Sequence, residues 1–217
     1  MDTRVLKEMI AVIRAEQQRR ASLLMKEDSD FANDRWLSTD GPLVNELCIM
    51  VLVTLSHQVE RQLVRLAARA DESGKEISGQ EYEAKVREIR KGLRNRRGWD
   101  EIKVRLNVES CEGYTSTEAL RFLVNSYKHN PSMEPDKELL KFLDLKTEVN
   151  YAPLPESPKL QEKLAVSIGL GKDADYCDIV ERFVDIASGF LADMQNRTKL
   201  SPVRWDPVSL NPDTFSR

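Results

Sequence analysis

Histidine is the scarcest functional group in this chain. Among 217 residues only His57 and His129 carry an imidazole, so any imidazole chemistry must use one of these two. Cysteine is nearly as rare: Cys48, Cys111 and Cys177 are odd in number and share no C-x-x-C spacing, which points away from a disulfide framework or a zinc site. Cys48 and Cys177 fall inside helical apolar patterns, where cysteine behaves as a small hydrophobe. Glycine and proline number nine each, too few for a many-turned β-protein or a linker-rich chain.

No single charge sign dominates. The 33 Lys and Arg face 36 Asp and Glu, a formal net charge of −3, which argues against a surface coated in basic residues. A local basic patch is still allowed, because charges act over about 8 Å in physiological salt. The longest apolar run, Leu47–Leu55, is broken only by Thr54 and is far short of the ~20 residues a membrane span requires. The first residues lead into an amphipathic pattern rather than an apolar signal core. The expectation is a soluble cytoplasmic protein that does not engage a membrane. Phosphate-loop, dinucleotide-fold, nucleophile-elbow and H-E-x-x-H patterns are absent, and Gly169-Leu170-Gly171-Lys172 lacks the spacing of a phosphate loop. No cofactor and no metal are expected.

Charged helix formers fill the gaps between apolar stretches, and the apolar positions recur at helical spacing, so the fold expected is all-α. Helices are predicted over 3–27, 42–71, 80–94, 116–129 and 174–196, with short helical pieces at 99–106 and 136–143. In the first, Leu6, Met9, Ile10 and Ile13 are expected inward. Helix 42–71 is apolar nearly all round in its first half, which predicts contact on several sides and the centre of a bundle. Thr115-Ser116-Thr117-Glu118 is expected to cap the helix that follows it. Residues 144–160, with Pro153, Pro155 and Pro158, read as an extended surface segment. The division expected is an N-terminal helix and loop at 1–41 anchored by Trp36 and Leu37, a helical core at 42–198, and a tail at 199–217. That tail holds Pro202, Pro207 and Pro212, with Trp205 and Phe215 free to dock on the surface.

On helix 116–129 the apolar positions Leu120, Leu123 and Tyr127 leave a polar stripe beside them. Arg121, Asn125, Lys128 and His129 lie at i, i+4, i+7 and i+8, on one adjoining face. Arginine, amide, ammonium and imidazole together offer donors for an anion and one group that titrates near neutrality, a set that suits a phosphate. The bland alternative is the solvated side of an amphipathic helix with cations near its C-terminus. His57 and Glu60, one turn apart on the central helix with Arg61 beside them, form a second polar cluster that could orient His129. From Lys85 to Arg105 nine basic residues stand against three acidic ones. Of these, Arg90, Arg94, Arg96, Arg97 and Lys103 are candidates to track a phosphate backbone, with Trp99 able to stack on a base. The alternative is a solvated helix face with Trp99 in the core.

The run Leu120-Arg121-Phe122-Leu123-Val124-Asn125-Ser126-Tyr127-Lys128-His129 resembles the motif helix of the HEPN superfamily of helical nucleotide-binding and ribonuclease domains. That motif reads Arg-(polar)-x-x-x-His, most often with Asn after the Arg. Asn125 and His129 match the Asn and the His; the family's Arg falls on Val124, giving an Asn-x-x-Lys-His variant. Helices 42–71 and 174–196 are similar to a first core helix and a closing helix of such domains. The resemblance implies a homodimer formed through the motif helix and metal-independent RNA cleavage at a site between protomers. His129 would move a proton and a cation, Arg121 or Lys128, would stabilise the phosphoryl charge, in a protein of the kind found in bacterial defence or toxin systems. With Val124 at the arginine position, a non-catalytic interaction module that binds a protein partner is the competing expectation.

Overall fold

A computed structural model describes residues 3–24, 41–70, 79–93, 96–129, 135, 137–146 and 157–198. Among these residues there are eight α-helices and no sheet, so the all-α bundle expected from the sequence is what forms. The segment with Trp36 and Leu37 and the tail with Trp205 and Phe215 lie outside the described residues.

The bundle is organised by helix α2, Gly41–Arg69, whose apolar side chains run around its circumference. It packs against α1 (Arg4–Leu24), α3 (Gly79–Leu93), α4 (Arg96–Leu106), α5 (Tyr114–His129) and α8 (Tyr176–Thr198). Val51, Leu52, Leu55 and Leu66 on α2 are fully buried. Each such side chain contributes about 1.5–3 kcal/mol by leaving water. Among the described residues α2 is also the one helix long and apolar enough to cross a membrane by length and composition; here it is the hub on which those five helices rest.

Helices α1 and α8 run antiparallel, and their contacts show the register. Lys7 meets Asp185 at 3.0 Å, Arg14 meets Asp178 at 2.6 Å and Glu181 at 3.1 Å, and Gln17 meets Asp175 at 3.5 Å. These pairs are partly exposed and orient more than they stabilise; the apolar stripe of Leu6, Ile10 and Ile13 beneath them supplies the burial. Met9, expected inward, is exposed: at one residue from Ile10 it is turned about 100° off the buried stripe. The Cys48 and Cys177 thiols meet in the core between α2 and α8, Sγ to Sγ 3.5 Å, both buried and free.

Two local expectations are corrected. The segment 144–160 is not extended to its end: α7 spans Pro158–Ser167, with Ser157 accepting from Leu160 N and proline in the first turn. Proline is tolerated there because its missing N–H is one of the unpaired donors of a helix start. Helix α5 begins at Tyr114, before the Thr-Ser-Thr-Glu run, so that run does not cap it. Thr117 instead bonds Gly113 O by both its N–H and its hydroxyl, and Glu118 is free for other work. A short α6, Lys137–Phe142, closes over α5 with Phe122 and Phe142 rings 6.2 Å apart.

Candidate functional site

The start of α5 is pinned to α8. Gly113 adopts φ +78, and a Cβ there would lie 3.4 Å from Ile186 Cγ2 and 3.5 Å from Phe190 Cβ. Glu112 N–H donates to Asp193 Oδ2 at 2.9 Å. From this anchor α5 crosses α2 with Ala119, Leu120, Leu123 and Val124 buried beneath it. The position that the HEPN motif gives to arginine is therefore a core position: Val124 is 2% exposed, and a cation there would face aliphatic groups. Of the described α5 side chains only Thr115 and Lys128 are exposed.

The polar stripe turns toward a neighbouring groove. Arg121, Asn125 and Lys128 line one cleft of about 160 Å³, completed by Ser56, Val59 and Glu60 of α2, Leu93 of α3, Trp99 of α4, and Thr117 and Leu120. The i, i+4, i+7 spacing thus does bring three of the four expected residues to one site. His129 is the last residue of α5; its side chain lies outside the described residues.

The two cations of the cleft are held differently. Arg121 donates to Glu118 through Nε at 3.0 Å and Nη2 at 2.9 Å. Its guanidinium lies 5.5 Å from the centre of the Trp99 ring and 4.6 Å from that of Phe122. Glu118 is buried, and Lys103 Nζ stands 3.6 Å from its Oε2, the oxygen that Arg121 Nη2 also meets, while lying 5.4 Å over the Tyr114 ring. Burial works against the Lys103 charge, but Tyr114 and Glu118 more than offset it and hold its pKa above the ordinary lysine value. Arg121 is thus rigid, flat and electrically offset.

Lys128, by contrast, has a neutral partner: its ammonium donates to His57 Nε2. Desolvation first, and the Lys128 charge second, lower the His57 pKa from 6.5. The uncharged ring with its proton on Nδ1 is the form that can accept from Lys128. His57 therefore engages the cleft through Lys128. Glu60 makes no ion pair among the described residues, and neither does the Asn125 carboxamide find a hydrogen-bond partner among them.

The basic segment is less open than the sequence suggests. Lys103 is taken up by Glu118, Glu109 at 3.9 Å and Tyr114; Lys85 pairs with Glu88 at 2.7 Å, and Arg105 with Glu101 at 2.8 Å. Arg90 is exposed on α3. Arg94 and the side chains of Arg96 and Arg97 lie outside the described residues. Trp99 is half-buried with its ring in the cleft wall, while its Nε1 is enclosed without a hydrogen-bond partner among the described residues. Glu118 was the residue that pattern reading missed as part of the site: it lies three before Arg121, the spacing of a helical ion pair. Among the described residues no group of three or more His, Cys, Asp or Glu is arranged to hold a metal ion. No family model, curated protein or solved structure matches the chain.

Proposed function

We propose that this protein binds single-stranded RNA at the α2–α4–α5 cleft, as a HEPN-like helical protein. What carries the reading is the convergence of Arg121, Asn125 and Lys128 on one cleft beside Trp99. Lys128 is the group that meets the phosphate, because its ammonium bonds the neutral His57 and makes no ion pair among the described residues, whereas the Arg121 charge is answered directly by Glu118. Aromatic and guanidinium planes suit unstacked bases, which double helices do not offer. The test is fluorescence anisotropy of a labelled single-stranded oligoribonucleotide. Binding weakens in Lys128→Ala and holds in Lys128→Arg; a strand that never binds retires the reading.

Cleavage is a separate step within this proposal. It requires His129 to exchange a proton with the ribose 2′-hydroxyl or the leaving oxygen, with Lys128 stabilising the phosphoryl charge. Nicked RNA from the intact protein, and intact RNA from a folded His129→Ala variant, is the result expected of a nuclease. The reading also expects a homodimer, checked by light scattering.

A second reading, a non-catalytic interaction module, is favoured by the burial of Val124 and by apolar side chains left in solvent. Val5, Met9 and Val12 share the outer side of α1, and Leu43 and Met50 lie seven apart on α2, with Val12 69% and Met50 58% exposed. That reading predicts a protein partner whose capture is lost in Val12→Asp and is indifferent to Lys128→Ala.

A further inference from the structure

We infer that Cys48 and Cys177 are a modification site, at which a hydroperoxide closes a disulfide between α2 and α8 inside the folded chain. The inference is independent of the RNA reading.

The two cysteines are 129 residues apart in sequence, yet their sulfurs stand 3.5 Å apart. A disulfide needs about 2.05 Å, so the sulfurs close by about 1.5 Å, a movement that rotation about the two Cα–Cβ bonds can supply. The third cysteine, Cys111, lies beside Asp193 and Arg197. That places it about 24 Å along α8 from Cys177, out of reach of the pair.

The two sulfurs are not equivalent. Cys177 is in the first turn of α8, where the helix dipole favours a thiolate. The hydrogen bond with Cys48 is the largest influence on Cys177 and lowers its pKa below the usual thiol value; Arg14 assists, while burial, Asp175 and Asp178 oppose. The same bond, together with burial, raises Cys48. Cys177 is therefore the sulfur that ionises and attacks, and Cys48 the one that completes the bond.

Both thiols are buried, so the oxidant needs a way in. Cys177 Sγ lies 3.8 Å from the Oε1 of Gln17, a half-buried side chain on α1 whose amide makes a long 3.5 Å contact with Asp175. When Gln17 turns outward, a motion that side chains at a surface make within nanoseconds, the sulfur is uncovered to a molecule as small as hydrogen peroxide.

The Cys177 thiolate attacks one oxygen of the hydroperoxide. An S–O bond forms, the O–O bond breaks, and the departing oxygen takes up a proton to leave as water or an alcohol. The Cys48 sulfur then attacks the sulfenic acid on Cys177. The S–S bond forms, the S–O bond breaks, and the hydroxyl leaves with the Cys48 proton as water. Two thiols lose two electrons and the hydroperoxide gains them; a small thiol such as glutathione returns them by exchange. The closed loop contains every residue that lines the α2–α4–α5 cleft, from Ser56 to Lys128, so the bond restricts the unfolded form of that whole region.

The experiment treats the full chain with hydrogen peroxide, stops the reaction with catalase, and reads free thiols, peptide masses without reductant, and thermal melts. Two of the three thiols should disappear, one peptide pair should join Cys48 to Cys177, and dithiothreitol should restore both. Closing so long a loop should raise Tm by about 10 °C. Cys111→Ala should behave as the parent does, and Gln17→Ala should cross-link several times faster. In Cys48→Ala, with its fold checked by circular dichroism, Cys177 should stop at the sulfenic acid and be captured by dimedone. Thiols that all survive in the folded chain, a bond that forms only in urea, or links between two chains in place of the internal one would each overturn the pair. So would a melting temperature that falls on cross-linking.

Discussion

Glu118→Gln should lower stability and raise affinity for RNA at the same time. The Glu118 side chain is 10% exposed and holds two cations: Arg121, 33% exposed, through bonds of 2.9 and 3.0 Å, and Lys103, 22% exposed, at 3.6 Å. Glutamine keeps one acceptor oxygen, so one bond to a charged donor is lost, worth about 1.5–3 kcal/mol, together with the attraction to Lys103. Removing one partner of a fully buried pair costs about 3–5 kcal/mol; water reaches both cations here, so the loss is nearer 2 kcal/mol. For a chain of this size that lowers Tm by about 4–8 °C. In the cleft the same change releases Arg121 from its counter-charge. One more phosphate contact should then steepen the dependence of log K on log salt by about 0.7 for a single strand. Thermal melts give the first quantity, and anisotropy between about 50 and 200 mM salt gives the second. An unchanged Tm, or RNA binding weaker than that of the parent protein, would mean that Glu118 neither holds these cations in the fold nor offsets Arg121 in the cleft.

Three further outcomes are expected. Val51→Asp, at a position 0% exposed on α2, places a carboxylate where nothing can pair with it and should cost about 4 kcal/mol or more; a cooperative urea transition near that of the parent would contradict the placement. His57 should titrate below 6.5 in proton NMR, because burial and Lys128 disfavour its charge. Its folded pKa is the lower one, so the stability it contributes is complete above the unfolded value of about 6.5 and is lost as pH falls through the folded value. In Lys128→Ala its pKa should rise. Gly113→Ala and Gly79→Ala, at φ +78 and φ +66, should each lose about 1–2 kcal/mol to left-handed strain. A Cβ at Gly113 meets Ile186 and Phe190 only at ordinary contact distances of 3.4 and 3.5 Å, and one at Gly79 meets nothing within 4 Å. A Gly113→Ala variant that melts well below Gly79→Ala would contradict this by showing crowding against α8.

Much of this architecture was legible in the chain because it depends on periodicity. The apolar circumference of Gly41–Arg69 announced a helix with neighbours on all sides, and the spacing of Arg121, Asn125 and Lys128 announced one face. What escaped depends on partners distant in sequence. Pro158 looked like a breaker until Ser157 and the burial of Leu160 and Leu164 made it the first turn of a helix. Glu118 looked like a cap, but it pairs with Arg121 one turn on, which helical spacing allows, and with Lys103 of α4, which no local pattern shows. Lys103 looked like part of an open basic strip for the same reason. Nor does helical spacing reveal that the Lys128 ammonium meets His57 rather than a carboxylate, since 71 residues separate them. The motif arginine's place is a core place for a reason the sequence does contain: Val124 adjoins Leu120 and Leu123 on the buried side.

The most direct measurement is the affinity of a labelled single-stranded oligoribonucleotide for the parent protein, Lys128→Ala and Lys128→Arg across a range of salt. The parent and Lys128→Arg should bind alike, and Lys128→Ala should bind more weakly with a salt slope shallower by about 0.7. Equal binding by all three proteins, or by none, would contradict the assignment of Lys128 to the phosphate.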